Sequence, residues 1–174
     1  MTTHLVVMGV SGSGKTTVAE GIVERTGWVF AEADAFHPQA NIDKMASGTP
    51  LTDEDRWPWL RHLGAWMAEH GAKGEDTVIT CSALKRVYRD VLRAEVEALG
   101  AGHRVVFAHL DGSAEIIAAR LEGRQGHFMP ASLLQSQIDT LEDLDPDEDG
   151  VRLDLTATPT ELIDQVMQSV APGR

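Results

Sequence analysis

The segment GVSGSGKT at residues 9–16 sets the first chemistry available to this chain. It matches the spacing G-x-x-x-x-G-K-[ST] at every fixed position, with Gly9, Gly14, Lys15 and Thr16 in the required places. Such a loop turns its backbone N–H groups inward around a phosphate. Its lysine reaches the β- and γ-phosphates as a point charge, and its threonine hydroxyl is a ligand for magnesium. An apolar run, HLVVMG, precedes the loop and a helix-period run follows it, which is the strand–loop–helix context the motif requires. The expected nucleotide-binding set is therefore Gly9, Val10, Ser11, Gly12, Ser13, Gly14, Lys15, Thr16 and Thr17. A glycine-rich turn that merely capped a helix would need neither the Lys-Thr pair nor the strand before it.

A second polar constellation, AEADAFHPQANIDKM, occupies residues 31–45. Glu32 and Asp34 fall at the carboxyl end of a predicted strand, the rim at which parallel α/β sheets hold ligands. Asp34 is a candidate base for an attacking hydroxyl, or the holder of a magnesium-bound water. The competing reading is an N-cap or turn residue before Pro38. Glu32 alternates with Asp34 and could share the metal role through water. For His37, contact with an acceptor molecule outweighs a metal role, because zinc wants three or four protein ligands. The phosphate loop alone does not separate a kinase from a nucleotide-driven switch, although the N-K-x-D element of GTPase switches is absent. Asp111 follows an apolar strand and could contact a metal, or serve the turn-and-cap pattern Asp-Gly-Ser before a helix.

These groups need elements to carry them. Apolar runs of strand length at residues 4–9, 28–32, 77–81, 104–110 and 151–156 alternate with helix-period segments at 15–26, 38–47, 53–71, 83–99, 113–125, 130–142 and 159–170. That alternation predicts an α/β fold, a five-stranded parallel sheet with helices on both faces. A length of 174 residues suits one domain, expected over residues 1–170, with 171–174 a frayed tail. The four tryptophans, Trp28, Trp57, Trp59 and Trp66, fit core positions. The acidic run at residues 142–149, EDLDPDED, lacks the glycine and terminal glutamate of an EF-hand loop and reads as a solvated loop.

Bulk composition narrows the function classes. With a formal net charge of −12, the chain is a poor partner for nucleic acid or anionic membranes. No apolar run approaches the roughly 18 residues of a membrane span. The single cysteine, Cys81, permits no internal disulfide, so a cytoplasmic location is expected. An anionic small ligand would need a local cationic focus, so the 15 basic residues should be unevenly placed. Lys85, Arg86 and Arg89 open the predicted helix after the third strand, at the ligand rim, with Ser82 just before them. A carboxylate or polyol acceptor would suit them, a solvated basic face being the alternative. Arg120 and Arg124 are i and i+4 near the end of another helix.

Three further segments, HPQANIDKMASGTPLTDEDRWPWL (37–60), CSALKRVYRDVLR (81–93) and GHFMPASLLQSQIDTLE (126–142), together with the phosphate loop, resemble the gluconokinase family. Its members are small P-loop kinases that phosphorylate D-gluconate to 6-phospho-D-gluconate with ATP. The resemblance spans nearly the whole chain and implies a nucleoside-monophosphate-kinase-like fold with a helical lid over about residues 120–138, ATP and Mg²⁺ as the cofactors, and a possible homodimer. It groups Lys15, Asp34, Arg120 and Arg124 as catalytic, with Arg120 also touching the nucleotide. It assigns Asp34, His37, Lys44, Arg56, Ser82, Lys85, Arg86, Arg89 and His127 to the acceptor, and places the TATP segment near adenine. Eight of the 15 basic residues (Lys15, Lys44, Arg56, Lys85, Arg86, Arg89, Arg120, Arg124) belong to these sets. The alternatives are a P-loop kinase of another small acceptor, such as shikimate or a nucleoside monophosphate, and a nucleotide-binding regulatory module without transfer.

Overall fold

The computed structural model describes residues 1–122 and 131–170. Five strands alternate with seven α-helices among these residues: Thr2–Met8 (β1), Lys15–Thr26 (α1), Val29–Glu32 (β2), Gln39–Ala46 (α2), Asp53–Ala72 (α3), Thr77–Thr80 (β3), Arg86–Glu97 (α4), His103–Asp111 (β4), Ala114–Glu122 (α5), Ala131–Thr140 (α6), Gly150–Asp154 (β5) and Pro159–Val170 (α7). All strand pairs are parallel, in the order β2-β3-β1-β4-β5. The predicted α/β fold with a five-stranded parallel sheet is therefore the fold found.

β1, β3 and β4 are buried along most of their length, which requires cover on both faces. Helix α1 packs with α7, and α3 with α4, on either side of the sheet. Leu5, Val6, Val7, Ile79, Phe107 and Leu110 form the centre of the core. β1 sits between β3 and β4, and the chain leaves it first toward one side and later toward the other. The crevice for a ligand opens at such a switch point, outside the carboxyl ends of the strands. Among the described residues no helix is long and apolar enough to cross a membrane.

Helices α1 and α7 keep their predicted limits, and two local departures shape the rim. Between β2 and α2, where neither strand nor helix was expected, the chain makes a single 3₁₀ turn, Ala33–Phe36. Helix α4 begins at Arg86 rather than at residue 83, because Ala83 is left-handed (φ 46°) and Lys85 is extended. A left-handed alanine costs roughly 1–2 kcal/mol. It is held by bonds from elsewhere in the chain: the Ala83 carbonyl accepts from Arg89 Nη1 at 2.9 Å, and the Leu84 carbonyl accepts from the Glu142 N–H at 2.6 Å. α3 starts on a capping box, Thr52 with Asp55, and carries Pro58 in its second turn. The expected helix limits at 125 and 130 and the tail at 171–174 lie outside the described residues.

Candidate active site

The phosphate loop leaves the carboxyl end of β1 as its glycines dictate. Gly14, at the N-cap of α1, is left-handed (φ 93°), and Gly9 has φ 148° with no room for a Cβ, which would meet the Leu110 carbonyl and Ser13 Oγ at 2.8 Å. Ser11, Gly12, Gly14, Lys15 and Thr16 line a cavity of about 400 Å³, within the usual range for small-molecule sites. Lys15 Nζ donates to the carbonyls of Gly9 (3.0 Å) and Val10 (3.1 Å). The other expected nucleotide residues are not among those lining the cavity. Val10 and Ser13 are buried, the Ser13 N–H donates to the Val10 carbonyl at 3.2 Å, and Thr17 is exposed on α1.

The two carboxylates part company. Glu32 ends β2 opposite Thr80 of β3 and accepts from Thr80 Oγ1 at 2.8 Å and from Thr16 Oγ1 at 3.0 Å. A hydroxyl and a carboxylate brought together at the mouth of the loop are hard oxygen donors, the set that suits magnesium. Asp34 sits on the 3₁₀ turn with its carboxylate 90% exposed, 4.0 Å from His37 Nε2. Both carboxylates line the same cavity as the loop.

The opposite wall comes from α2 and α3. His37 is buried and stacks on Trp59 with centroids 4.0 Å apart and planes at 17°. Burial holds its pKa below the usual 6.5, with Arg56 acting the same way and Asp34 opposing. Asn41 fixes the tautomer. Its Nδ2 donates to the Asp55 carbonyl at 2.9 Å, which orients the amide, and so also donates to His37 Nδ1 at 3.2 Å. A neutral His37 then carries its proton on Nε2, on the side of Asp34. Trp59 Nε1 donates to the Ala33 carbonyl at 2.8 Å and ties α3 to the turn that carries Asp34.

Arg56 completes this wall. Its Nη1 donates to Tyr88 Oη at 3.0 Å, lies 3.7 Å from Asp53 Oδ1, and its guanidinium rests over the Tyr88 ring. Burial and the hydrogen bond to Asp53 push the Tyr88 phenol up to about 12, so it remains a neutral partner for Arg56. Ser82 also lines the cavity. The charged groups of the expected acceptor set that the structure brings to the cavity are thus Asp34 and Arg56, joined by neutral His37 and Ser82.

Four of the expected acceptor residues are not among those lining the cavity. Lys44 Nζ bonds Asp55 Oδ2 at 2.6 Å, holding that carboxyl down at about 2 and clamping α2 to α3; its neighbours Met45 and Ala46 face the cavity instead. Arg89 is fully buried, paired with Glu148 and bonded to the carbonyls of Ala83, Glu142 and Asp143. Arg86 turns outward to Asp145 and Asp147. Lys85 stands 3.8 Å from Asp53 and over the Tyr88 ring. Asp111 bonds Arg152 at 2.6 Å, while Ser113 caps α5 through the Ile116 N–H. Arg120 lies near the loop: its Nη2 donates to the Leu155 carbonyl at 3.1 Å, and its Nη1 lies 3.2 Å from where a Cβ on Gly14 would stand. Arg124 and His127 lie outside the described residues.

Sequence reasoning missed three contributors. Trp59 was assigned to the core; it is buried, yet it also forms cavity wall under His37. Met45, Pro50 and Leu51 add an apolar strip. Gln137 of α6 reaches the phosphate loop, accepting from the Ser11 N–H at 2.7 Å. The nearness of a Trp-Pro-Trp run to His37 was the available signal for the first; nothing in the spacing announced the others.

Residues 5–144 match the model of a family described as an AAA domain. The gluconokinase of Gluconobacter oxydans (strain 621H) is 49% identical over 164 residues, covering 94% of this chain and 89% of that protein. Among solved structures, an unliganded sugar kinase from Janibacter sp. HTCC2649 superposes with a TM-score of 0.90 at 58% identity, covering 98% of this chain and 95% of the other. A gluconokinase from Sinorhizobium meliloti 1021 superposes with a TM-score of 0.82 at 46% identity, covering 95% and 90%.

Proposed function

The chain belongs to the gluconokinase family, and from that premise we propose how its own residues carry the transfer. It is an ATP-dependent phosphotransferase with an alcohol acceptor, converting D-gluconate to 6-phospho-D-gluconate. The observation that carries the residue assignment is one cavity of about 400 Å³ that joins the phosphate loop to Asp34, His37 and Arg56.

In this reading the loop N–H groups and Lys15 hold the triphosphate, and Arg120 stands against the loop at Gly14. Thr16 and Glu32 are the residues that would hold magnesium, with Asp34 able to add a bridging water. The ion would supply positive charge to offset that of the phosphate oxygens. Gluconate is an anion in a chain of net charge −12, so its carboxylate needs a local cation, and Arg56 offers guanidinium N–H groups beside the cavity. His37 offers Nε2–H to a hydroxyl. Asp34, exposed and aimed into the same space, takes the proton as the acceptor oxygen forms its bond to the γ-phosphorus; the bond to the β–γ bridging oxygen breaks and ADP leaves. Little covalent work falls to the protein, and catalysis is chiefly positioning and charge stabilisation.

The test is ADP release from ATP and magnesium with gluconate present or absent, with shikimate and nucleoside monophosphates as parallel acceptors. Gluconate-dependent release is expected. Release that is driven by another acceptor, or nucleotide binding without any acceptor-dependent release, would move the chain to one of the two alternatives.

A further inference from the structure

Helix α6 sends one polar side chain onto the phosphate loop. The Ser11 N–H donates to Gln137 Oε1 at 2.7 Å, and Gln137 Nε2 donates to Ser11 Oγ at 3.2 Å. We propose that Gln137 is a phosphoryl-binding residue of this kinase, whose amide turns from the Ser11 N–H to present its own N–H to the terminal phosphoryl group when ATP binds. The proposal rests on the kinase reading of the cavity and extends it to a residue outside both the motif and the arginine pair.

Three observations lead there. A phosphate loop works by presenting backbone N–H groups to phosphate oxygens, and here one of those donors is met by a carboxamide oxygen, a neutral stand-in for a phosphoryl oxygen. Ligand and side chain therefore compete for one donor. Second, a glutamine carries both an acceptor oxygen and two N–H donors on one planar group. A half-turn of that amide exchanges the oxygen that accepts from the Ser11 N–H for the nitrogen that suits a phosphoryl oxygen. A carboxylate could do only the first. Third, Ser11 and Gln137 line the same cavity as His37, Arg56 and Trp59, the residues read above as the acceptor wall. The phosphoryl group that faces the acceptor is the one being transferred, so Gln137 meets the terminal phosphate rather than the inner two.

The helix is anchored well enough to place such a group. Leu134 and Ile138 pack against the core, the Leu141 N–H donates to the Gln137 carbonyl at 3.0 Å, and the Glu142 N–H donates to the Leu84 carbonyl at 2.6 Å. Gln137 is thus held by the segment beyond it.

Two substitutions separate phosphoryl binding from simple fastening of α6. Gln137→Glu keeps an oxygen for the Ser11 N–H but sets a negative charge against the phosphoryl group; Gln137→Ala removes both functions. The expected order of kcat is wild type, then Gln137→Ala, then Gln137→Glu. Losing one well-placed donor to developing charge costs about 10²-fold in other active sites, and the glutamate variant should fall at least that far. Calorimetric titration without gluconate should show Gln137→Glu losing affinity for the β,γ-imido analogue of ATP while its affinity for ADP holds. If Gln137 only fastens the helix, the order reverses, with glutamate tolerated and alanine the worse. That reversal, or an equal loss for the ATP analogue and ADP, overturns the proposal. A wild-type enzyme without gluconate-dependent ADP release would overturn the acceptor reading instead, and the nucleotide titrations would still decide Gln137.

Discussion

Two regions at the same rim of the sheet are built from the same residue types and do opposite things with them. Along α4 and the acidic segment at 142–149, the chain supplies its charges with partners. Arg89 and Glu148 both have fully buried side chains and meet at 2.8 and 3.1 Å, Arg93 pairs with Glu148 and Asp90, and Arg86 with Asp145 and Asp147. In the cavity the Asp34 carboxylate is 90% exposed, 4.0 Å from a histidine whose pKa is lowered, and Arg56 leans on a neutral phenol with Asp53 Oδ1 3.7 Å away. Where the counter-charge comes from the chain itself, the result is a rigid joint. Where it comes from a ligand, the result is a binding site. A buried pair contributes little net stability once desolvation is counted, but breaking one half of it is costly.

The sharpest test of this contrast is a pair of substitutions, one in each region. Asp34→Asn should lower kcat by about 10²–10⁴-fold, the usual cost of losing a general base, without changing the melting temperature. ATP binding should persist, and near-normal turnover would remove Asp34 from its role. Arg89→Met should do the reverse. Leaving Glu148 buried without its main partner should cost roughly 3–5 kcal/mol. For a chain of this size that is a fall of roughly 6–20 °C in melting temperature. The kcat of the folded fraction should be unchanged, and the double variant Arg89→Met/Glu148→Met should recover much of the loss. If Arg89→Met instead abolished turnover at unchanged stability, the division between the regions would fail.

How much of this was legible in the sequence depends on how far apart the interacting residues lie. The phosphate loop is local: its glycines, Lys15 and Thr16 sit within eight residues, and motif, flanking strand and helix were all readable. The placing of Glu32 and Asp34 at the ligand rim followed from the strand that precedes them. Which of the two meets Thr16 did not, because that depends on the β2–β3 register, which sets Glu32 opposite Thr80. The cations of α4 were drawn to the acceptor because they open a helix at the ligand rim. Their true partners stand up to 61 residues away, in a segment that read as a solvated loop. That reading holds for Asp147, which is exposed, and fails for Glu148, which is buried. Gln137 touches a residue 126 positions away, and no periodicity reports a contact of that kind.

Acid should separate the two regions again, with a smaller effect. Burial acts to raise the Glu148 pKa, but the bonds from Arg89, the Asp145 N–H and Arg93 outweigh it and hold the carboxyl below its ordinary 4.5. A depressed folded-state carboxylate contributes stability above its unfolded pKa and loses it as pH falls through the folded value, so this contribution fades only below about pH 4.5. His37 acts with the same sign in a higher window. Its folded pKa is lowered from 6.5 by burial, so the neutral ring favours the fold fully above pH 6.5 and less as pH falls below it; His4, pushed down to about 4, and His109 act in the same sense. Chemical unfolding as a function of pH should therefore show a first loss beginning near pH 6.5 and a second below about 4.5. Glu148→Gln should flatten the second alone. If it flattens the first, the assignment of the two windows is wrong.

The smallest expected effect tests the boundary between the regions most directly, because Arg86 was a candidate for the acceptor and now belongs to the joint. Its side chain is about one-third exposed and its partners Asp145 and Asp147 more so. Hydrogen bonds to those carboxylates raise its pKa, yet an exposed ion pair gains little, since water solvates both charges when they separate and salt screens what remains. Arg86→Ala should therefore bring a slight fall in melting temperature that raised salt abolishes, and leave the KM for gluconate where it was. A rise in that KM at unchanged stability would mean that Arg86 swings from the acidic segment into the cavity when the acceptor binds. The joint would then be a reservoir of charge for the site, and the line drawn here between satisfied and waiting charges would have to be moved to Arg89.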